Sequence, residues 1–332
     1  FLFKTACEHG ETSHKTVPAL AETCTEDGYT EGVFCNDCGF WVSGHKTVQA
    51  HHTDENKDRV CDICQEDAAI LSGQCGENAT FSIYSDGEAI IRGTGKLKNY
   101  KYNKRSPFTK NYKYIKKLTV ESGITSLGNY MFKDCSLLEE VQLPEGLEKV
   151  NADAFRGCTA LKTIVLPQGL EEIDDSAFGG CTALSSITFP SSLKVIEYFA
   201  FSYCTALKEI SLPEGIESIK YGTFRDCTAL SKIKFPLSLK VIEQEAFYYC
   251  PALTEVTVPG NVETIGSEAL GWYWVNGDDE DGYSERIDNF VIKGYANTAA
   301  ESYALENEFL FKTACEHGET SHKTVPALAE TC

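Results

Sequence analysis

One methionine stands among 332 residues, and no histidine falls between residues 53 and 316. Most of the chain therefore has no imidazole to serve as a general base. Positive charge is also scarce: 30 Lys and Arg face 49 Asp and Glu, for a net charge of −19. Nucleic-acid phosphates want a surplus of Lys and Arg, so no nucleic acid is expected as a partner, and anionic membrane surfaces are excluded with it. No apolar run approaches the roughly 18 residues of a bilayer-spanning helix, so no membrane insertion is expected. No phosphate-cradling glycine loop is present, and no Ser/His/Asp set stands in recognisable context. Paired carboxylates are plentiful, but in so acidic a chain they carry no catalytic signal. No enzyme is expected. The sequence starts at Phe1, so the missing export signal says nothing about compartment.

What the chain does have is a period. Residues 114–274 divide into seven blocks of 23, starting at Tyr114, Leu137, Ala160, Ala183, Ala206, Ala229 and Ala252. Cys135, Cys158, Cys181, Cys204, Cys227 and Cys250 mark one position in six of them. Phe132, Phe155, Phe178, Phe201, Phe224 and Phe247 mark another. A fixed short period means a solenoid, because one block cannot bury its apolar face alone and stacked copies can. Within the block Ala160–Thr182, Leu161, Ile164 and Leu166 alternate as in a strand, and Pro167 ends it. Leu170 and Ile173 turn inward next, then Phe178 and Cys181. Stacking at the strand spacing of about 4.8 Å gives a core roughly 34 Å long.

The Leu-x-x-Ile-x-Leu-Pro opening and Ala-Phe-x-x-Cys close resemble the BspA-type leucine-rich repeat. That resemblance implies a leucine-rich-repeat right-handed superhelix of short β-strands with helical turns. It also implies a surface or secreted protein that binds and adheres, with no catalytic residues to carry over.

Residues 1–68 are of another kind. Cys7, Cys24, Cys35, Cys38, Cys61 and Cys64 stand among His9, His14, His45, His51 and His52, with little apolar sequence for a core. Cys35-x-x-Cys38 and Cys61-x-x-Cys64 resemble a zinc ribbon, in which two such knuckles complete a tetrahedron around one structural zinc. Disulfide bonding is the rival reading of this small metal- or disulfide-stapled module. Asp54, Asn56 and Asp58 alternate as calcium ligands do, or form a polar turn, since Arg59 and Gln65 break the loop pattern.

Residues 69–113 are expected to cap the solenoid, with a hairpin turning at Asp86-Gly87. The Lys96–Lys117 stretch, with Tyr100, Tyr102, Tyr112 and Tyr114, reads as a solvated loop or as a patch for an acidic glycan. Residues 275–308 read as the closing cap, and Gly277–Gly282 in it as a solvated acidic loop.

Two faces are candidates for binding a protein or cell-surface ligand. If the apolar strand positions point in, Thr163, Val165, Ser186, Thr188, Glu209, Ser211, Lys232, Lys234, Glu255 and Thr257 point out. Tyr198, Phe199, Tyr203, Tyr221, Tyr248 and Tyr249 are either interface anchors or padding between turns. A carbohydrate- or cell-wall-binding module attached to a larger secreted enzyme is the alternative.

Residues 1–24 recur letter for letter as 309–332, an offset of 308. Either units repeat in a tandem array, giving an extracellular filament of self-associated copies, or one stretch is represented twice. On this reading 309–332 starts a second copy of the Cys/His-rich module.

Overall fold

The structure is a computed structural model. It describes residues 69–111, 113–275 and 283–314, Arg59, and the backbone of five strands before residue 50. Two compact units are distinguished: residues 1–72 with 82–86, and residues 73–81 with 87–332. In the first, the strands His14–Val17, Gly32–Cys35 and Phe40–Ser43 form an antiparallel sheet with Gly32–Cys35 central. Gly28–Tyr29 pairs antiparallel with Thr47–Val48.

The second unit is a solenoid whose turns each contribute two short parallel strands. In one turn Thr163–Val165 is the first strand and Glu172–Ile173 the second. Leu161, Ile164 and Leu166 are buried, because alternation sends every second side chain to the interior. The copies stack in register at the 23-residue offset, so Ile164 lies opposite Ile187 and Ile173 opposite Ile196. Two columns run up the core. Phe132, Phe155, Phe178, Phe201, Phe224 and Phe247 stack with centroids 5.2, 5.4, 5.3, 5.6 and 5.3 Å apart. Beside them Cys135 to Cys250 are all buried free thiols, with Cys75 near the start of the unit.

The third side of each turn is made of single hydrogen-bonded turns, such as Gly179 N–H to Ser176 O at 3.0 Å and Cys181 N–H to Phe178 O at 3.1 Å, and these do not continue into regular helix. Two residues per turn hold left-handed backbone, such as Ser176 at φ 52° and Gly180 at φ 72°, and such residues stop an α-helix. Instead, Phe155 N–H donates to Ala177 and Phe178 N–H to Ala200, linking each turn to the next. Helix among the described residues is limited to Pro107–Lys110 and Ala299–Glu306. No helix among them is long and apolar enough to cross a membrane.

The strand Glu88–Leu97 pairs parallel with both Lys117–Val120 and Ile124–Ser126, so it covers the edge of both strand columns at once. It bends at Gly93, φ 120°, where a Cβ would lie 2.0 Å from the Asn78 carbonyl oxygen. The basic stretch after it is more than a solvated loop. Ser106 caps the helix Pro107–Lys110, and Phe108, fully buried, sits 4.8 Å from Phe132 and prolongs the phenylalanine column.

At the other end Leu270 takes the phenylalanine position and is fully buried. Trp272–Val275 and Tyr283–Arg286 form an antiparallel hairpin, and the acidic loop residues 277–282 lie outside the described residues. Val291–Gly294 then pairs parallel with Glu255–Thr257, and Leu310–Thr313 with Val291–Gly294. The solenoid therefore runs past residue 308, and 309–313 belongs to it rather than to a second Cys/His-rich module.

The second-strand column has one gap. Lys194 N–H donates to Glu171 and Lys240 N–H to Glu217, but no such bond joins Glu217 to Lys194. Val195–Ile196 and Ser218–Ile219 accordingly belong to separate sheets. The turn side stays joined there through Phe201 N–H to Thr223 O at 2.9 Å.

Candidate functional site

The outward positions of the first strands are exposed throughout: Thr163, Val165, Ser186, Thr188, Glu209, Ser211, Lys232, Lys234, Glu255 and Thr257. Pairing fixes their neighbours. Glu209 lies opposite Lys232 and Ser211 opposite Lys234, and opposite charges so placed attract across the strands. Lys293 extends the pattern one turn further, its Nζ 2.8 Å from a Glu255 carboxylate oxygen.

Part of this face is concave. A groove of about 720 Å³ is lined by the exposed Thr188, Glu209, Ser211, Lys232, Lys234, Glu255 and Thr257 and by the buried, inward-facing Ile187, Phe189, Ile210, Leu212 and Val256. Thr163, Val165 and Ser186 share the face but not the groove. Val165 is 81% exposed, an apolar side chain with no cover. The groove offers two ammoniums, two carboxylates and hydroxyls. That arrangement suits recognition of a polar surface.

The aromatic candidates separate on inspection. Tyr198 and Tyr203 are exposed. Tyr221 is half-buried, its hydroxyl donating to Glu245 at 3.2 Å and its ring edge-on to Phe199 at 5.0 Å. Burial raises its pKa first, and the Glu245 charge adds to that. Tyr249 is half-buried near Tyr273, with ring centroids 6.5 Å apart. Tyr248 is not a surface anchor. It is 2% exposed, bonded to the Ser284 hydroxyl at 2.9 Å and covered by the Arg225 guanidinium. Arg225 also pairs with Asp226 and Glu245. Asp226 is nonetheless raised, because burial outweighs that pairing.

Tyr203 and Phe199 border a trough of about 420 Å³ with Asp134, Arg156, Gly157, Ser176, Gly179, Gly180 and Ser202. Its open floor comes from the glycines. Gly157 and Gly180 hold φ 74° and 72°, the left-handed position that Tyr203 and Tyr249 occupy at 59° and 57° in later turns. The sequence signal was the Gly179-Gly180 pair, in a place where other blocks carry bulkier residues; the single-residue search for aromatics passed over it.

Among the described residues no group of three or more His, Cys, Asp or Glu side chains could hold a metal. Cys38, Cys61, Cys64, Asp54, Asn56 and Asp58 lie outside the described residues, and for Cys35 only the backbone is described.

Comparisons follow this geometry. No curated protein sequence matches the chain. A solved leucine-rich repeat protein from Bacteroides ovatus ATCC 8483 is similar at 18% identity and TM-score 0.43, over 71% of this chain and 66% of that one. This chain thus spans less than two-thirds of that protein's solved length. The T. pallidum leucine rich repeat protein is similar at 23% identity and TM-score 0.34, over 56% and 81% of the two chains. A leucine rich cell surface protein from Faecalibacterium prausnitzii A2-165 is similar at 15% identity and TM-score 0.27, over 75% and 96%. The BspA type leucine rich repeat region matches residues 98–185 and 148–272 in six copies, more than half of the chain. With its 23-residue register, its phenylalanine and cysteine columns and that match, the chain belongs to the BspA-type leucine-rich repeat family.

Proposed function

We propose that the solenoid is a protein-binding module of an extracellular or cell-surface protein, and that its strand-face groove is the contact surface. The observation that carries this is the groove itself. It aligns Glu209 with Lys232 and Ser211 with Lys234 on paired, in-register strands, and Glu255 lines the same groove. Charges held this way select a partner by complementarity more than by bulk area. The family is one of repeat proteins and is generally non-catalytic, which supports binding as the role. In this reading Cys35, Cys38, Cys61 and Cys64 hold one structural zinc, and copies associate in series.

The test is binding of the full chain to surface-protein ligands with Lys232→Glu and Lys234→Glu introduced together. A loss of roughly ten-fold or more, with the melt of the solenoid unchanged, supports the groove. Unchanged affinity removes it. The trough beside Tyr203 favours a second reading, carbohydrate binding, because an aromatic ring over an open floor can stack on a sugar. Specific glycan-array binding lost in Tyr203→Ala, and kept in the lysine variant, would put that reading first.

A further inference from the structure

Phe309–Ala314 closes the solenoid. Leu310–Thr313 lies parallel to Val291–Gly294, with Ile292 opposite Phe311 and Lys293 opposite Lys312. Backbone bonds bracket it: Leu310 N–H to Phe290 O at 3.2 Å and Ala314 N–H to Gly294 O at 2.7 Å. Phe309 is 9% exposed and packs against Phe290, Trp272 and Tyr303, at 5.2, 6.2 and 6.2 Å between ring centroids. A Cβ on Gly271 would come within 2.8 Å of the Phe309 ring, so the backbone beneath is shaped to this side chain.

The six residues that fill this seat read Phe-Leu-Phe-Lys-Thr-Ala, and Phe1–Ala6 read the same. Every side chain and every backbone group that the seat engages is therefore present a second time in the chain. The first copy precedes the strand His14–Val17.

We infer that the seat beside Val291–Gly294 accepts Phe1–Ala6 of a second copy in place of its own Phe309–Ala314. The join is a strand added in parallel, with main-chain bonds giving affinity and the Phe309 pocket giving register. It is an exchange of identical elements, so the two bound states differ little in contact energy. What separates them is concentration. The resident strand follows the helix Ala299–Glu306 after a short turn, and its effective concentration is on the order of millimolar, so it prevails in dilute solution. Crowded copies on a surface, or loss of the resident strand, favour the incoming one. Because the seat and the segment are different parts of the molecule, the contact is head-to-tail and can join copies in series. This inference rests on the serial-association part of the proposed function and not on the groove.

The test uses the full chain with Phe309→Asp, which puts a charge in the aromatic seat and evicts the resident strand. A fluorescent Phe-Leu-Phe-Lys-Thr-Ala peptide is titrated into this variant and into the unaltered chain, with a scrambled peptide as control. Saturable binding to the variant, roughly ten-fold or more weaker in the unaltered chain, is the expected result. Phe309→Ala, which weakens the resident strand without adding a charge, is measured in parallel and stands alone if Phe309→Asp loses its cooperative melt. Sedimentation of Phe309→Ala should show association that rises with concentration and vanishes when Phe1→Asp is added. No peptide binding to Phe309→Ala with a retained melt, or association indifferent to Phe1→Asp, overturns the inference. The Lys232/Lys234 variant should associate as the parent chain does, so failure of the groove and failure of the seat are told apart.

Discussion

The thiol of Cys181 donates to the carbonyl oxygen of Phe155, one turn earlier, at 3.3 Å. The link repeats from Cys158 to Phe132, Cys204 to Phe178, Cys227 to Phe201 and Cys250 to Phe224. Each cysteine thus ties its own turn to the phenylalanine of the turn before. The side chains run in parallel up the stack, which is poor geometry for a disulfide and good geometry for a column of small buried thiols.

Alkali should unfold the solenoid steeply. Burial pushes the Cys181 thiol up to about 12 from a value of 9.0, and Cys75 likewise to about 12. A raised acid favours the protonated form in the folded state. Its stabilising effect is complete below pH 9 and is lost as pH rises from about 9 toward 12, by up to about 1.4 kcal/mol per thiol per pH unit. Urea midpoints from pH 8 to 11 check this. Cys181→Ala should make the fall shallower by one proton; an unchanged slope would count against the cause given.

The same thiols should be silent to a thiol reagent in the native chain. Peptide mapping after native labelling should find Cys75, Cys135, Cys158, Cys181, Cys204, Cys227 and Cys250 unmodified, all seven being buried. Labelling in denaturant should reach every one of them. Disulfides at these positions would refute the column.

Phe201→Ala should cost about 3–5 kcal/mol, the usual loss for a fully buried phenylalanine. Three ring contacts go together, Phe178 at 5.3 Å, Phe224 at 5.6 Å and Phe189, edge-on, at 5.5 Å. In a stack each turn leans only on its neighbours, so hydrogen exchange should quicken first in the turns on either side. Uniform loss of protection along the whole solenoid would contradict that.

The core was open to reading because its period is strict. The 23-residue recurrence of Phe178 and Cys181 gave both columns, and the alternation of Leu161, Ile164 and Leu166 gave the strand face. Phe108 escaped because it stands 24 residues before Phe132 and no cysteine follows it at the repeat position. That the turns stay single and do not run on into helix has a conformational reason. Left-handed residues such as Asp153 at φ 54° look ordinary as letters, since Ser, Phe and Glu fill the same position elsewhere. The trough was hidden because it is made by what Gly157, Gly179 and Gly180 leave out, while the search was for what aromatics add.

Tyr203→Gly should leave stability unchanged or raise it by about 1 kcal/mol. Left-handed backbone at a bulky residue costs on the order of 1 kcal/mol or more, and glycine removes that cost at some expense in unfolded-chain entropy. Gly157 and Gly180 already do this at the equivalent place. Tyr203 is 52% exposed, so little packing goes with it. A drop in the urea midpoint worth more than about 1 kcal/mol would show the ring to be structural.

Chelator should separate the two units. With zinc on Cys35, Cys38, Cys61 and Cys64, removing metal should abolish the transition of the first unit and spare that of the solenoid. Elemental analysis should find one zinc per chain. Disulfides at these residues by mass spectrometry, with no metal, would decide against it.

The gap between Val195–Ile196 and Ser218–Ile219 gives the solenoid one mechanical seam. Strand bonds of this column hold the stack on either side of it, while across it the turn side and the phenylalanine column carry the connection, with the widest ring spacing, 5.6 Å, at that same step, Phe201–Phe224. A load that bends the stack is resisted least there, and the flexing axis lies along the turn side. The groove from Ile187 to Thr257 straddles the seam. Its two halves are therefore held together not by a continuous strand ladder but by the core, the turn side and the single bond from Lys208 N–H to Ser185 O at 3.4 Å.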